Sequence, residues 1–314
     1  EADAVVIATG ARPRRVAAEH SMALRTVEDA LALRARLVPG ARVVVVGAGW
    51  IGAEVATAAA AAGASVDVVE AGPTPLAGAM PAEIGRLTLP WYDAAGVHVH
   101  LGARVERVER QGAELTVALA DARVLRADLV VEGVGVRPAT DWLADSGIAL
   151  DAHGAVVTDS RLRASRPGVW AVGDVASWWS PRFARTMRVE HWDEALHAPE
   201  VVAASIIAGG SDAGPEHDPV PYFWSEQLGH YVQYAGHHPA GTRLVHRGDP
   251  ADPGGWTACW LAPGGDGERL VAVLAVDRPR DLMQGRKLIA AGAAVDVARL
   301  ADPSIALREA AQPA

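Results

Sequence analysis

Three glycines and one glutamate have the types and the spacing of a dinucleotide-binding turn. Gly47, Gly49 and Gly52 follow four consecutive valines, and an alanine-rich run leads on to a second apolar stretch that ends at Glu70. Gly47 permits the tight turn, Gly49 lets backbone amides approach a diphosphate, and Gly52 allows the following helix to pack closely on the sheet. The pattern therefore predicts a strand, a turn, a helix and a second strand around a bound dinucleotide.

Glu70 adds a preference between the two nicotinamide cofactors. A carboxylate about 20 residues beyond the glycines accepts hydrogen bonds from the hydroxyls of the adenosine ribose. A 2′-phosphate at the same place would meet a like charge, so the sequence predicts NADH rather than NADPH. The alternative is a doubly wound core that holds no ligand.

Composition bounds the class of protein. The chain has 314 residues, of which 50% are hydrophobic and 21% charged, and this is enough for two or three globular domains. A formal net charge of -9 argues against a general nucleic-acid binder. The only cysteine is Cys259, which excludes an internal disulfide and a CxxC redox pair and fits a reducing cytoplasm. No uninterrupted apolar run reaches the roughly 18 residues of a membrane span, so we expect no membrane partner.

The elements around the glycine turn predict four segments. Residues 1–38 begin with a buried strand that runs straight into a glycine turn at Gly10, and residues 39–150 form the nucleotide unit with an insert of short antiparallel strands between residues 97 and 125. Residues 151–215 hold a strand that ends at Asp174 and a helix from about Asp193 to Ala208. A linker over residues 209–221 leads into residues 216–314, which read as an α+β domain with a last helix near residues 305–311.

Three motifs in a fixed order carry a family resemblance. They are Ala8–Arg14, Gly47–Glu70 and Val169–Asp174, followed by Arg188–Ala195 and Tyr222–Gln227. This order resembles the FAD-dependent NADH:ferredoxin reductases, such as the putidaredoxin and rubredoxin reductases, in which an NAD domain is inserted into an FAD domain. The resemblance implies an α/β fold with two Rossmann-like dinucleotide-binding parts and a C-terminal α+β domain.

The resemblance also implies which residues hold the two cofactors. Gly173 leaves room for the flavin tail, Asp174 accepts from the ribityl chain, and Arg14 pairs with the FAD diphosphate. Trp192 resembles the aromatic residue that lines the flavin ring, and Glu54 resembles the carboxylate near the nicotinamide. The implied FAD residues are Thr9, Gly10, Arg14, Gly173, Asp174 and Trp192. The implied NAD residues are Gly47, Gly49, Trp50, Ile51, Gly52, Glu54, Glu70, Gly133 and Gly135.

Each of these side chains also has a plain structural alternative. Asp174 could cap a turn, Arg14 could be a surface charge, Trp192 could be a core residue, and Glu54 could be a solvated helix residue. We predict no catalytic side chain, because the flavin supplies the chemistry. We predict no metal site either, because the paired histidines do not have ligand spacing.

A cluster of arginines suggests where electrons leave. Arg182, Arg185 and Arg188 lie between two tryptophans, and an acidic iron-sulfur protein could dock on them. A solvated loop is the alternative.

The sequence departs from the family pattern in several places. A glycine-rich turn for the FAD adenosine diphosphate does not precede Ala8, so residues 1–38 read as a remnant of an FAD domain. Glu132 stands where an apolar residue is usual, Ala139 replaces an asparagine, and Gly78 replaces a basic residue. We expect weaker NADH affinity from these changes.

These observations predict a flavoprotein oxidoreductase, monomeric or homodimeric. It would pass electrons from NADH through FAD to a small acidic ferredoxin or rubredoxin of an oxygenase system. The rivals are another NADH-dependent flavin reductase or oxidase, and a catalytically silent NADH-binding fragment or scaffold.

Overall fold

The computed structural model describes residues 2–17, 19–209, 214–265 and 267–312. The helices in these ranges are α1 (Val27–Arg36), α2 (Trp50–Ala61), α3 (Ala82–Ala94), α4 (Trp192–Ile207), α5 (Pro279–Ala291) and α6 (Val297–Ala301). Within the same ranges, no helix has both the length and the apolar character needed to cross a bilayer.

Short strands make up most of the remaining regular structure. They are β1 (Val5–Ile7), β2 (Ala11–Pro13), β3 (Met22–Ala23), β4 (Arg42–Val46), β5 (Ser65–Glu70), β6 (His98–Leu101), β7 (Val105–Gln111), β8 (Glu114–Leu119), β9 (Val124–Ala127), β10 (Leu129–Glu132), β11 (Val136–Pro138), β12 (Val156–Thr158), β13 (Val169–Ala171), β14 (Ala176–Ser180), β15 (Arg185–Met187), β16 (Tyr222–Gln227), β17 (His230–Gly236), β18 (Arg243–Arg247), β19 (Trp256–Gly264) and β20 (Gly267–Val276).

The chain divides into two compact units that are each discontinuous in sequence. Unit 1 comprises Glu1–Ala11, Arg137–Trp224 and Tyr231–Ala314, and unit 2 comprises Arg12–Val136 and Ser225–His230. The turn of the β16–β17 hairpin therefore belongs to unit 2. The four predicted segment boundaries stay a prediction, and part of the predicted linker, residues 210–213, lies outside the described residues.

Unit 2 is built on a parallel sheet with the strand order β3-β10-β4-β5-β6. The valines of β4 alternate between its two faces, as strand geometry requires. Val43 and Val45 pack with helix residues such as Ala53, whereas Val44 and Val46 pack with the antiparallel strands β7 and β8. Both faces are covered, which explains why this strand is apolar throughout.

The predicted antiparallel insert is present, but it is shorter than expected. Strands β7, β8 and β9 form a three-stranded antiparallel sheet. The stretch expected to open this insert, residues 97–101, instead contains β6, which pairs in parallel with β5 at the edge of the main sheet. An edge strand with one open face alternates apolar and polar residues, so its pattern resembles that of an antiparallel strand.

Unit 1 contains the other strand-to-turn motifs and the C-terminal sheet. Strand β1 pairs in parallel with β13, with Ile7 opposite Ala171. Strands β16, β17, β20, β19 and β18 form one sheet in that order, and the apolar face of α5 packs on it through Leu282, Leu288 and Ile289. The helix expected near residues 305–311 is present as a short 3-10 helix, Leu307–Ala310, and the α-helix α6 precedes it.

Candidate functional site

The glycine turn of unit 2 is closed so tightly that side chains do not fit in it. Gly47 has a φ of +97°, and a Cβ placed on it would lie 2.6 Å from the carbonyl oxygen of Gly133. A Cβ on Gly52 would lie 1.9 Å from the carbonyl oxygen of Gly47. The backbone at these positions therefore requires glycine, as the spacing predicts.

The start of α2 presents backbone N–H groups to a ligand. Gly49 is the N-cap residue and offers no side-chain acceptor, and the first turn contains no acidic residue. The positive end of the helix dipole favours an anion at this place. Trp50 is half-buried and Ile51 is exposed in this first turn, and their place beside the diphosphate stays a prediction.

Glu70 lies at the end of β5 and is half-buried. Its carboxylate accepts hydrogen bonds from the backbone N–H of Ala48 at 2.7 Å and of Gly72 at 2.6 Å. These two bonds fix the carboxylate beside the glycine turn, and each oxygen keeps a second lone pair for a ribose hydroxyl. Glu70 thus stabilises the turn as well, a role that its spacing did not indicate.

Glu54 lies one turn further along α2 and is held by a residue far away in sequence. Its Oε1 accepts a hydrogen bond from the hydroxyl of Ser225 at 2.5 Å. Partial burial raises the pKa of the Glu54 carboxyl, the hydroxyl of Ser225 lowers it, and the charge of Glu226 raises it. A carboxyl in this setting can accept or hold a proton more readily than a freely solvated one.

The hairpin turn that carries Ser225 is fixed to unit 2 by further contacts. The backbone N–H of Leu228 donates to Thr57 Oγ1 at 2.8 Å, and the ring of His230 stacks on Trp91 at 4.3 Å. Tyr222–Gln227 is one of the motifs that carry the family resemblance, but no role for Ser225 could be predicted from it. The only hint in the sequence was that a residue with a hydroxyl group, Ser225, directly follows Trp224.

Gly133 and Gly135 follow β10, and Gly133 lies against the same turn. A Cβ on Gly133 would lie 3.0 Å from the backbone nitrogen of Gly52, and Gly135 has a φ of +91°. The carbonyl of Gly135 accepts from the backbone N–H of Arg14 at 2.9 Å. The Arg14 side chain donates to the carbonyl of Val136 at 3.0 Å, so part of its hydrogen-bonding capacity is used within unit 2.

The remaining predicted flavin residues lie in unit 1, at the carboxyl ends of two paired strands. Thr9 and Gly10 follow the end of β1, and Gly173 and Asp174 follow the end of β13, whose last residue, Ala171, lies opposite Ile7. Thr9 is anchored through its hydroxyl, which donates to the carbonyl of Ala139 at 2.9 Å. Carboxyl ends of adjacent parallel strands are the usual place for a ligand in an α/β fold.

Trp192 is the first residue of α4 and is 64% exposed. It is therefore not a core residue, and its ring contacts Trp224 edge-on at 5.9 Å.

The preceding His191 was not identified from the sequence. Its ring stacks on Phe223, and burial lowers its pKa to about 4 against the opposing charges of Asp174 and Asp193.

The structure explains two of the departures from the family pattern, Glu132 and Ala139. It does not explain the third, Gly78. Glu132 is buried but bonded to the backbone N–H groups of Val16 and Ala17. Ala139 takes part through its backbone, donating to Gly10 and accepting from Thr9, so a longer side chain is not needed for these contacts. Gly78 has open space around it.

The arginine cluster is more tightly held than a solvated loop. The Arg182 guanidinium donates to the carbonyls of Ile289 and Ala290, and Arg188 forms an ion pair with Glu190. Arg185 is exposed, and its guanidinium contacts His237 at 2.5 Å. Two of the three charges therefore have structural partners of their own.

Histidines and acids do not assemble into a metal site in the part of the chain described by the structure. His100 contacts Asp67 at 2.7 Å, and His238 contacts the hydroxyl of Tyr234 at 2.6 Å. Cys259 is fully buried, and burial raises the pKa of its thiol to about 12, so it is a poor nucleophile.

The residues present fit the two cofactors that the sequence implies. In unit 2 the glycine turn, the uncapped helix start and Glu70 fit the diphosphate and ribose of NADH. In unit 1 the adjoining strand ends and the exposed Trp192 fit parts of a flavin nucleotide. Fold and site together define an oxidoreductase of the kind that binds two dinucleotides.

Comparison with known proteins agrees with this class. A family model described as pyridine nucleotide-disulphide oxidoreductase matches residues 1–198, and one described as reductase C-terminal matches residues 222–311. The ferredoxin–NAD(+) reductase component of the anthranilate 1,2-dioxygenase system of Burkholderia cepacia is 37% identical over 309 residues, which are 97% of this chain and 74% of that protein.

Solved structures show the same similarity. The crystal structure of Fdr9 matches with a TM-score of 0.88 and 49% identity, covering 99% of this chain and 76% of Fdr9. The covalent putidaredoxin reductase–putidaredoxin complex matches with a TM-score of 0.88 and 30% identity, covering 98% of this chain and 74% of the matched chain. The chain belongs to the pyridine nucleotide-disulphide oxidoreductase family and has a reductase C-terminal domain. The predicted family and fold class are confirmed.

Proposed function

We propose that this protein is an NADH-dependent flavoprotein reductase that passes electrons through FAD to the iron-sulfur protein of an oxygenase system. The observation that carries the proposal is the NADH turn in unit 2, where glycines at positions 47 and 52 are sterically required and Glu70 lies beside them. The relatives support the direction of electron flow, since one is the ferredoxin–NAD(+) reductase component of a dioxygenase system. FAD and NADH are the cofactors of this family.

The bound flavin accepts two electrons as hydride from NADH and can release them one at a time. The residues of the chain bind the two cofactors and orient them. Backbone N–H groups at the start of α2 hold the NADH diphosphate, and Glu70 holds the adenosine ribose. Glu54, fixed by Ser225, is the carboxyl proposed for the nicotinamide end. Thr9, Gly10, Arg14, Gly173, Asp174 and Trp192 are the residues proposed for FAD.

The test is an anaerobic titration of the purified protein after incubation with FAD. We expect a bound flavin absorption band that bleaches when NADH is added and much less when NADPH is added. Electrons should then pass to an added ferredoxin faster than to oxygen. A flavin that NADH reduces but that prefers oxygen would support the oxidase rival, and NADH binding without any flavin would support the silent rival.

The partner we propose is a small acidic iron-sulfur protein, and the reductase acts as a monomer or homodimer in the cytoplasm. The single buried thiol and the net charge of -9 fit a reducing compartment and the absence of nucleic-acid binding. Among the clustered arginines, Arg185 is exposed and its guanidinium contacts His237, whereas Arg182 and Arg188 lie within 4.0 Å of the carboxylates of Asp218 and Glu190.

Arg185→Glu tests this docking surface. Reversing an exposed charge that meets an acidic partner should raise the KM for ferredoxin severalfold at low ionic strength, and salt should remove the difference. The measurement is the steady-state rate of ferredoxin reduction at two salt concentrations. Arg107→Glu is the control, because Arg107 is an exposed residue of β7 that pairs with Glu109. An equal KM for ferredoxin in both variants would show that Arg185 does not contact the partner.

A further inference from the structure

Glu132 is a buried carboxylate at the end of β10, directly before Gly133. The residue is 3% exposed, and its side chain is completely enclosed. A carboxylate in such a place is stable only if hydrogen-bond donors surround it. The other residues of β10 are apolar and buried, so the strand itself does not require a charged residue at this position.

The donors come from one short stretch of chain, residues 14–17 and 19–21, here called the arginine loop. The backbone N–H groups of Val16 and Ala17 donate to the carboxylate at 2.5 Å and 2.9 Å. The hydroxyl of Ser21 donates to it as well, and the guanidinium of Arg15 lies 3.8 Å away. Arg15 also donates to Ser21 Oγ at 2.9 Å, so the donors support one another.

This set of donors has the chemistry of an anion-binding site. Successive backbone N–H groups, a hydroxyl and a guanidinium are the groups that bind phosphate or carboxylate in proteins. Here the bound anion is a side chain of the same protein. Glu132 therefore acts as an internal ligand that closes the arginine loop.

The arginine loop is also fastened to the residues that follow Glu132. Arg14 donates from its backbone to Gly135 and from its side chain to Val136, at 2.9 Å and 3.0 Å. Gly133 in turn donates to the carbonyl of Val46 at 2.8 Å and lies against Gly47. Residues 133–136 are thus held between the arginine loop on one side and the glycine turn on the other.

We infer that Glu132 is a positioning residue for the NADH site, acting through the arginine loop on Gly133 and Gly135. The inference rests on the proposed function, because it assumes that these glycines approach the nicotinamide half of NADH. It also reverses the expectation that Glu132 weakens NADH binding.

Glu132→Gln in the full-length protein is the first test. The amide accepts through only one of its two terminal atoms, so its NH2 group would face one of the donors that now bind the second carboxylate oxygen, and the arginine loop should open. Trypsin should then cleave between Arg15 and Val16 faster, and the Kd for NADH measured by calorimetry should rise about tenfold, while kcat changes little. Glu109→Gln is the matched control, because Glu109 is an exposed carboxylate of β7. It should change neither quantity.

Chemical rescue separates positioning from general damage. Glu132→Ala leaves the donors in place and removes the anion, so added acetate should restore both protection from trypsin and NADH affinity. Acetate should have no effect on the wild-type protein or on Glu109→Gln. If the Glu132 variants do not fold, Ser21→Ala removes one donor and keeps the carboxylate, and it should show the same two changes to a smaller degree.

The outcomes distinguish the inference from the proposed function. Unchanged cleavage and unchanged NADH affinity in Glu132→Gln would overturn the inference, as would faster cleavage with normal NADH affinity. A wild-type protein that binds no NADH would overturn the proposed function and the NADH role together, and cleavage would still show whether Glu132 closes the arginine loop. Normal NADH binding without electron transfer to ferredoxin would leave the inference standing.

Discussion

At the scale of single residues, the sequence predicted those residues whose type is fixed by nearby backbone atoms. Gly47 and Gly52 are needed because of atoms within a few residues or one strand away, so their spacing carries the information. The partners of Glu54 and Glu132 could not be predicted in this way. Ser225 is 171 residues from Glu54, and Val16 is 116 residues from Glu132, so only the folded chain brings them together.

Gly52→Ala tests the steric argument for the nucleotide turn. A Cβ at this position would lie 1.9 Å from the carbonyl oxygen of Gly47, and backbone atoms cannot move aside without opening the turn. We expect NADH affinity to fall by at least about tenfold, since a displacement of about 1 Å is enough to cost much more in a binding site. Isothermal calorimetry measures it.

Gly265→Ala is the control for this variant. A Cβ on the exposed Gly265 meets no atom within 4 Å, so the same chemical change should leave NADH affinity unaltered. If Gly52→Ala binds NADH as well as Gly265→Ala does, the turn does not approach the cofactor.

Ser225→Ala tests whether Glu54 is ionised when NADH is used. The hydroxyl of Ser225 lowers the pKa of Glu54, so its removal should raise that pKa further above the ordinary value. If the ionised carboxyl is required, the acidic limb of the kcat/KM profile for NADH should move to higher pH. Ser304→Ala, an exposed hydroxyl of unit 1, is the control and should leave the profile in place. Superimposable profiles for Ser225→Ala and the wild-type protein would exclude Glu54 from this step.

At the scale of elements, patterns with two buried faces or with a clear period were predicted correctly. The buried strand β4 and the helix α4 lie where the sequence placed them. Helix α1 was not predicted, although its capping box of Thr26 and Asp29 was visible in the sequence. Its weak apolar face, with Leu33 as the buried residue, explains why periodicity gave no signal.

The C-terminal sheet depends on a buried cation that sequence patterns did not reveal. Arg247 at the end of β18 donates to Asp281 of α5 at 3.0 Å and to the backbone carbonyls of Leu300, Asp302 and Ile305. One side chain thus connects a strand, α5, α6 and the segment that follows α6.

Arg247→Met should therefore destabilise unit 1. Breaking a buried ion pair from one side typically costs about 3–5 kcal/mol of unfolding free energy. Here the three carbonyls lose their donor, and Asp281 keeps the bonds that Arg278 and Thr257 donate. Arg243→Met is the control on the same strand, since its ion pair with Glu268 is largely exposed and should contribute less than about 1 kcal/mol. Urea unfolding followed by tryptophan fluorescence gives both values. Similar losses in the two variants would show that the network does not hold the elements together.

At the scale of the whole molecule, the order of motifs predicted more than any single motif did. The chain passes from unit 1 to unit 2 and back, and it returns to unit 2 through the turn Ser225–His230. The first crossing could be inferred from the nucleotide unit lying between two strand-to-turn motifs. The second crossing could not, because a hairpin turn carries the same sequence signals wherever it packs.

We expect the folded molecule to be sensitive to acid because of two half-buried imidazoles. Burial lowers the pKa of His191 and of His237 to about 4, whereas an unfolded histidine titrates near 6.5. Between these values the unfolded chain binds protons that the folded chain does not, so the free energy of unfolding should fall as the pH drops from about 6.5 toward 4. In His191→Phe, which keeps a ring against Phe223, this decline should be shallower. His153→Gln, at an exposed position, should retain the wild-type slope in urea titrations across this range. A wild-type slope in His191→Phe would mean that this imidazole does not contribute to the acid sensitivity.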